Sequence, residues 1–347
     1  MVVELSAIIA VCAVEVTDTI IMEFYGGYYG LAYDSAKGEI FVTNVDFNSV
    51  YVISDINNTV VATIPVGNQP YGIAYDSGKG EIFVADHGAD SVSVISDNTN
   101  ALVANIKVGS QPSVVAYDSD KGEVFVANYN SSSISVISDS TNTVVANIPV
   151  GSQPCALAYD SNKGEIFVGH ATGNQVLVIS DSTNEVVANV TVENQPLSLV
   201  YDSGKAEIFV ANYNSSSVSI ISDHTNLVIA TINVGGNPIG LAYDSTKGQV
   251  FVANYNSSSV SVISDNTNAV IANVALEKQP QGIGYDSGRG KMFVTYSESN
   301  RISVLSDSSE TSDSPSLTVP FAAVSTLAVI ALCVSLVVYF RKRSRQS

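Results

Sequence analysis

A phrase close to Ala-Tyr-Asp-Ser recurs seven times at intervals of 42 residues, and it constrains the fold more than any other feature of the chain. Its tyrosines are Tyr33, Tyr75, Tyr117, Tyr159, Tyr201, Tyr243 and Tyr285. A period of about 40 residues that contains short β-patterned segments is typical of a β-propeller. One such repeat cannot bury its own faces, so the copies must stack around an axis. The sequence therefore predicts an all-β, seven-bladed β-propeller.

Each repeat contains four short apolar runs separated by turn residues. In the second copy they cover residues 70–75, 81–85, 91–95 and 101–108. Runs of this length bounded by Gly, Asn, Asp and Ser predict strands, and four strands make one propeller blade. We label them A to D, with strand A nearest the axis.

The second strand of every repeat carries a phenylalanine, and we predict that these side chains form the core between blades. Neighbouring blades cover both faces of each sheet, so successive positions of strand B should be apolar. The repeated tyrosines are expected to join this core. The phenylalanines are Phe41, Phe83, Phe125, Phe167, Phe209, Phe251 and Phe293.

The turn between strands A and B reads Asp-Ser-x-Lys-Gly in most copies. We predict a positive φ at its glycine, which Ala206 replaces in the fifth copy. The basic residue of this turn is expected to pair with adjacent acids. Small residues in strand A, such as Gly72 and Gly240, should allow the strands to crowd around the axis.

The first and last repeats are incomplete in complementary ways. Residues 19–24 match the register of strand D, whereas the last repeat ends after its strand C near residue 306. We therefore predict that the N-terminal strand is the outer strand of the seventh blade. This pairing closes the ring without a covalent bond and covers a sheet edge.

The C-terminal residues predict a membrane anchor. Residues 319–340 form an uncharged run that is long enough for one transmembrane helix, and the basic tail 341–347 follows directly. Basic residues mark the cytoplasmic end of such a span. We expect a single-pass protein of the cell membrane, with the propeller (17–307) extracellular, a Ser/Thr- and acid-rich stalk (308–318) and a cytoplasmic C-terminus. Residues 1–16 are interpreted as a signal peptide or an N-terminal tail.

Charge and cysteine content restrict the partners. Before residue 319 the chain has 11 basic and 33 acidic residues, a net charge of −22. Such a surface disfavours nucleic acid, which we exclude as a partner. The three cysteines fall in different segments, and no disulfide is expected.

One face of the propeller departs from the repeat. The B–C loops vary there, together with the D–A loops, whereas the A–B and C–D turns are nearly constant. Binding sites are usually built from loops on a rigid scaffold. We predict a ligand site on this variable face, although drift of surface loops is the alternative. Its candidate residues are Phe47, Asp86, His87, Tyr129, His170, Tyr213, Tyr255 and Glu298.

Support for catalysis is thin. The chain has three histidines and none of the common catalytic or cofactor motifs, so we predict no catalytic residue, no metal site and no cofactor. A metal-dependent extracellular enzyme of lyase or hydrolase type, with His87 and His170 at the channel mouth, is the alternative.

Five Asn-x-Ser/Thr sequons are candidate glycosylation sites in an extracellular protein. They are Asn57, Asn130, Asn189, Asn214 and Asn256.

The phrase Phe41-Val-Thr-Asn44 and its variants at Phe125 and Phe251, each followed by Ser-Val-Ser-Val-Ile-Ser or a close variant, resemble the YVTN family of β-propeller repeats. The chain has Phe in place of Tyr and often Ala in place of Thr. The resemblance covers residues 18–307 and implies a seven-bladed propeller of the archaeal surface-layer or cell-envelope type. It implies no reaction. Together these features predict a membrane-anchored binding, adhesion or envelope-scaffold module whose partners are cell-envelope proteins or glycans.

Overall fold

The computed structural model describes residues 14–307. They form seven four-stranded sheets arranged as the blades of a β-propeller. The first strand, β1 (Val14–Gly26), precedes blade 1. Blade 1 comprises β2 (Tyr28–Asp34), β3 (Glu39–Asn44), β4 (Ser49–Ser54) and β5 (Thr59–Pro65). Blade 2 comprises β6 (Pro70–Asp76), β7 (Glu81–Asp86), β8 (Ser91–Ser96) and β9 (Ala101–Lys107). Blade 3 comprises β10 (Pro112–Asp118), β11 (Glu123–Asn128), β12 (Ser133–Ser138) and β13 (Thr143–Pro149).

Blades 4 to 6 repeat this pattern, with one short 3-10 helix (Tyr213–Ser215) in blade 5. Blade 4 comprises β14 (Pro154–Asp160), β15 (Glu165–His170), β16 (Gln175–Ser180) and β17 (Glu185–Thr191). Blade 5 comprises β18 (Pro196–Asp202), β19 (Glu207–Asn212), β20 (Ser217–Ser222) and β21 (Leu227–Asn233). Blade 6 comprises β22 (Pro238–Asp244), β23 (Gln249–Asn254), β24 (Ser259–Ser264) and β25 (Ala269–Ala275). Blade 7 contains β26 (Pro280–Asp286), β27 (Lys291–Tyr296) and β28 (Ser299–Asp307).

The N-terminal strand closes the ring, as the register predicted. Blade 7 has the strand order β1-β28-β27-β26, and β1 pairs antiparallel with β28 from Val14 to Gly26. The strand therefore begins at Val14, three residues before the boundary expected from the sequence. Ile20 and Met22 of β1 are buried against Phe293 of blade 7 and Val42 of blade 1. One segment thus contributes to the core of the first and the last blade.

The core lies between neighbouring sheets, and the predicted phenylalanines are in it. Phe251 is 4% exposed, and the other six are at most 1% exposed. The tyrosines of strand A also pack against this core, as predicted, but they are half-buried. Their hydroxyls lie beside carboxylates of the preceding blade. Burial and the nearby Asp34 raise the pKa of Tyr75, and burial and Asp76 raise that of Tyr117. These tyrosines connect blades through polar contacts at the A–B end.

The A–B turns have the predicted backbone conformation. Their glycines have φ between 62° and 68°, and Ala206 keeps the same geometry with φ at 59°. The C–D turns also end on a left-handed residue, which is Asn in six copies, for example Asn58 (φ 55°) and Asn100 (φ 50°). Asn tolerates this region better than most residues, which explains its recurrence.

The basic residues of the A–B turns pair mainly with the next blade, which corrects the expectation of purely local pairing. Lys121 Nζ lies 3.1 Å from Asp181 Oδ1 of blade 4. Arg289 Nε lies 3.2 Å from Asp55 Oδ1 and so links blade 7 to blade 1. Two of the lysines, Lys79 and Lys163, also meet an adjacent glutamate. The A–B and C–D turn surface is therefore occupied by contacts that hold blades together.

Strands A line the axis, and each contacts the inner strands of both neighbours. A Cβ built on Gly72 would lie 2.6 Å from Val114 Cα, and one on Gly282 would lie 1.9 Å from the Tyr29 carbonyl oxygen. The small residues are therefore required by the approach of one blade to the next, as predicted from crowding.

The predicted stalk (308–318), transmembrane helix (319–340) and basic tail (341–347) lie outside the described residues, as does most of the predicted signal peptide or tail. Among residues 14–307, no helix has the length and apolar character needed to cross a membrane. Cys155 is a free cysteine within this range.

Candidate functional site at the channel mouth

The predicted site residues lie at the B–C end of the propeller but at different depths. Phe47 and Glu298 are exposed, and the four ring-bearing side chains His87, Tyr129, Tyr213 and Tyr255 are half-buried. Asp86 and His170 are buried, because each is the last residue of its strand B rather than a true loop residue.

Asp86 belongs to a buried hydrogen-bond network. Its Oδ2 accepts hydrogen bonds from Ser93 Oγ (2.7 Å) and Ser91 Oγ (3.2 Å). Its Oδ1 is buried and has no partner among the described residues. Burial raises the pKa of Asp86 to about 6. In blade 3 the same position is Asn128, whose Nδ2 donates to two serines. The role of Asp86 in this structure is to support the loop above it.

The two histidines are not brought into one cluster. His170 Nε2, in blade 4, lies 2.9 Å from the carbonyl oxygen of Val150 in the loop between blades 3 and 4. His87 Nδ1 lies 3.2 Å from the Pro112 carbonyl oxygen, between blades 2 and 3. Within residues 14–307, no three His, Cys, Asp or Glu side chains are placed to hold a metal ion.

Aromatic rings form a continuous row on this face. The ring centroids of Tyr29 and Tyr71 are 4.9 Å apart, and those of Tyr71 and His87 are 4.7 Å apart. Tyr129 continues the row, with its centroid 6.5 Å from that of His87. We call these four side chains, Tyr29, Tyr71, His87 and Tyr129, the aromatic wall. It spans blades 1 to 3.

Irregular backbone positions the wall. The A–B ladder is interrupted between Tyr28 and Leu31 in blade 1 and between Pro70 and Ile73 in blade 2. Tyr29 and Tyr71 sit in these bulges, which re-aim side chains at the rim of a sheet. Thr43 Oγ1 donates to the Tyr71 carbonyl oxygen (2.8 Å), and Thr295 Oγ1 donates to that of Tyr29 (3.3 Å). Threonines of strand B therefore fix the backbone that carries both rings.

The B–C loop residues His87 and Tyr129 are hydrogen-bonded through their backbone to the D–A loops. The backbone N–H groups of His87 and Tyr129 each donate to a glutamine carbonyl oxygen at 2.9 Å, from Gln69 and Gln111 respectively. Both glutamines have a positive φ, 52° and 54°. The same turn recurs at Tyr213 and Tyr255, with Gln195 and Asn237 as the acceptors, and also at Ala171, which has no ring. It is therefore a feature of the repeat that holds this end of each B–C loop in place.

A cavity of about 260 Å³ opens at this end of the axis, between the first residues of the seven strands A. Tyr29 and Tyr71 line one side, and smaller or aliphatic residues line the rest. All of its lining residues are uncharged: Tyr29, Gly30, Leu31, Tyr71, Gly72, Ile73, Ser113, Val114, Cys155, Ser198, Ile239, Gly240, Leu241, Gln281, Gly282 and Ile283.

Burial favours the neutral forms of Tyr29, Tyr71 and His87. It raises the pKa of Tyr29 and Tyr71, and the nearby Asp46 adds to both shifts. It lowers the pKa of His87 below 6.5. Burial also raises the pKa of the Cys155 thiol to about 12, so this cysteine is a poor nucleophile.

Phe47 belongs to a separate exposed patch. Its ring stacks on Phe24 of β1 with centroids 4.6 Å apart, and the two side chains are 47% and 39% exposed. Nearby, Lys278 Nζ lies 5.3 Å from the centroid of Tyr25 and donates to the Glu298 carbonyl oxygen at 3.1 Å. Phe24 and Tyr25 are contributed by the closing strand.

All five sequon asparagines are exposed. Asn130, Asn214 and Asn256 lie in B–C loops of blades 3, 5 and 6, whereas Asn57 is in a C–D turn and Asn189 is on the outer strand of blade 4.

Tyr29 and Tyr71 were not anticipated as site residues. A signal was present, because their position in strand A is the most varied of that strand, with Tyr29, Tyr71, Ser113, Cys155, Leu197, Ile239 and Gln281 in successive blades. Departure from the repeat therefore identifies candidate positions within a strand as well as in the loops.

Comparisons with known proteins support the fold. No family model and no curated protein matches the chain. Among solved structures, Kuenenia stuttgartiensis hydrazine synthase is similar, with a TM-score of 0.72 and 18% sequence identity over 82% of this chain and 96% of that chain. At this identity the likeness shows a shared propeller fold only.

Proposed function

We propose that this chain is a membrane-anchored cell-surface propeller that binds a component of the cell envelope through its variable face. The observation that carries the proposal is the aromatic wall beside an open, uncharged cavity. Half-buried aromatic side chains on a rigid backbone are typical of recognition sites, since they give a large contact area at a low cost in side-chain entropy.

The opposite face supports this choice by contrast. Its turns repeat with little change, and their charged groups already pair between blades, as Lys121 does with Asp181. At the variable face, rings that differ from blade to blade remain half-exposed. Recognition of one specific partner requires such non-repeated chemistry.

The location at the cell surface rests on the sequence. The uncharged run 319–340 and the basic residues after it give a single-pass anchor with a cytoplasmic tail. The net charge of −22 before this run suits a soluble external domain. The exposed sequons, among them Asn130 and Asn214, are accessible to a glycosylation system.

The binding role is proposed in place of an enzymatic one. His87 and His170 lie in different blades, and a ring nitrogen of each is within hydrogen-bond distance of a backbone carbonyl oxygen. An activity that requires both histidines would be lost in a His87→Ala, His170→Ala double variant while the fold stays intact, and such a loss would favour the metal-dependent enzyme instead.

The proposal is tested by capture of isolated cell envelopes from the source organism. The full-length chain is immobilised through a C-terminal tag, and the test variant carries Tyr71→Leu together with alanine at Phe47, Tyr129, Tyr213 and Tyr255. We expect saturable capture by the native chain and its loss in this variant.

The matched control carries alanine at Ile56 and His224, two residues of the opposite face with side chains that are largely exposed. We expect the control to capture envelopes like the native chain. Equal capture by the native chain and the test variant would refute the assignment to the variable face.

A further inference from the structure

We propose that the aromatic wall is a subsite for a neutral oligosaccharide, so that the ligand of the variable face is an uncharged glycan. This inference rests on the proposed function and specifies its ligand class. The geometry of the wall, its charge and the polar groups next to it each restrict the chemistry of the ligand.

The spacing of the rings excludes a cation cage. A cage needs rings that stand apart with the cation between their faces. Tyr29, Tyr71 and His87 are packed on one another, with centroids less than 5 Å apart, and leave no room between them. Of these rings, Tyr29 and Tyr71 line the cavity, with their planes tilted by 53° to each other. They give one side of the cavity an aromatic surface against which a ligand ring can pack.

The charge of the surroundings excludes an anion. The cavity beside the wall has an uncharged lining, and Asp46 is close enough to raise the pKa of Tyr29 and Tyr71. The propeller as a whole is strongly acidic. A phosphate, sulfate or uronate would be repelled here.

A neutral sugar satisfies the remaining conditions. The apolar face of a pyranose ring carries C–H groups with partial positive charge, and these pack on the negative face of an aromatic ring. Hydroxyl groups at the sugar's edge need donors and acceptors, and Ser113, Ser198 and Gln281 lie around the same cavity. Ser113 Oγ donates to backbone carbonyl oxygens and can still accept, whereas Ser198 Oγ accepts from the Leu241 N–H and can still donate.

The repeat itself supplies substitutions that the fold tolerates. Leu197 occupies in blade 5 the position of Tyr71, and Ala171 occupies in blade 4 the position of His87 and Tyr129. Tyr71→Leu and Tyr129→Ala therefore remove rings and leave residues that the repeat already accommodates. Leu197→Ser, which copies Ser113, is the matched control at the same repeat position outside the wall.

The experiment is calorimetric titration of the full-length chain with neutral hexasaccharides of glucose, mannose, galactose and N-acetylglucosamine. Tetramethylammonium and a hexauronate are the charged comparison probes. Because the chain has no tryptophan, its intrinsic fluorescence reports tyrosine environments and gives a second readout. We expect saturable millimolar or tighter binding of at least one neutral probe, weakened about tenfold by Tyr71→Leu and unchanged by Leu197→Ser.

The inference is overturned if no neutral hexasaccharide binds, if a charged probe binds more tightly, or if Tyr71→Leu and Leu197→Ser weaken binding equally. These outcomes are separable from failure of the proposed function. Envelope capture that still depends on the B–C loop residues would preserve the binding role and refute only the glycan class, whereas absence of capture would refute the binding role itself.

Discussion

The substitution Asp86→Asn should stabilise this propeller near pH 7. Asp86 is fully buried, its Oδ2 accepts hydrogen bonds from two serines, and its Oδ1 has no partner among the described residues. An ionised carboxylate loses its hydration when it is buried, and hydrogen bonds from two hydroxyl groups compensate for only part of that loss. Asn is the natural alternative, since Asn128, Asn212 and Asn254 hold the corresponding serine pairs in other blades.

The magnitude follows from the pKa of Asp86, which burial raises from 3.8 to about 6. A pKa change of one corresponds to about 1.4 kcal/mol. Ionised Asp86 therefore costs the folded state about 3 kcal/mol at pH 7. A raised acid pKa means that the folded state binds the proton more tightly than the unfolded state. The penalty is therefore complete above about pH 6 and vanishes below the ordinary pKa of 3.8.

The assay is urea denaturation of native chain and variant, followed by circular dichroism across this pH range. We expect Asp86→Asn to raise the free energy of unfolding by up to about 3 kcal/mol at pH 7 and to leave it nearly unchanged below the ordinary pKa of the carboxyl group. The reciprocal control is Asn128→Asp, which should introduce the same pH-dependent loss into blade 3. A gain of equal size at both ends of the pH range would refute the reasoning, because carboxylate ionisation would then not be its source.

Three further predictions concern the ring. Ala206→Gly should stabilise the chain by about 1 kcal/mol in thermal or urea unfolding, because Ala206 holds a φ of 59° that glycine adopts without strain. Gly80→Ala should destabilise the chain, since the new Cβ would lie 2.5 Å from an Asp97 carboxylate oxygen. Met22→Ala should lower the free energy of unfolding by about 2–5 kcal/mol, whereas the control Val61→Ala, at a half-exposed outer position, should change it little. Deletion of residues 18–25 should lower the melting temperature of the whole propeller. A deletion variant that melts like the native chain would contradict closure by β1. Burial raises the pKa of Glu207, so its ionisation destabilises the folded state as pH rises. Glu207→Gln, which copies Gln249, should therefore reduce the fall in the free energy of unfolding over the pH range in which carboxyl groups ionise. An unchanged dependence of the free energy of unfolding on pH would contradict this.

The architecture was readable from the sequence because the repeat is free of insertions. A strict 42-residue period with four apolar runs leaves few folds available, and the incomplete ends identify the closing strand by register alone. Buried Ile20 and Met22 in β1 confirm that the register was sufficient. The positive φ at the A–B glycines followed from local turn chemistry in the same way.

The contacts of the turn lysines were not readable from local sequence. Lys121 and Asp181 are 60 residues apart, so only the stacking of blades brings them together. The burial of Asp86 was missed for a related reason. Loop residues were assigned from their variation, but the last residue of strand B lies beneath the D–A loop, where Gly67 approaches so closely that a Cβ there would be 2.3 Å from Asp86 Cγ.

The candidate site follows from the sequence only in outline. Tyr129 and His87 belong to the aromatic wall, yet its centre is formed by Tyr29 and Tyr71 of strand A. Their orientation depends on a bulge and on threonines from strand B, which no pattern within one strand reveals.

Hydrogen–deuterium exchange of the full-length chain, with and without saturating amounts of isolated cell envelope, tests the central claim most directly. We expect slower exchange in the B–C and D–A loops of blades 1 to 3, around Tyr71, His87 and Tyr129, and unchanged exchange in the A–B and C–D turns. Protection confined to the A–B and C–D turns, or absent from both ends of the propeller, would contradict it.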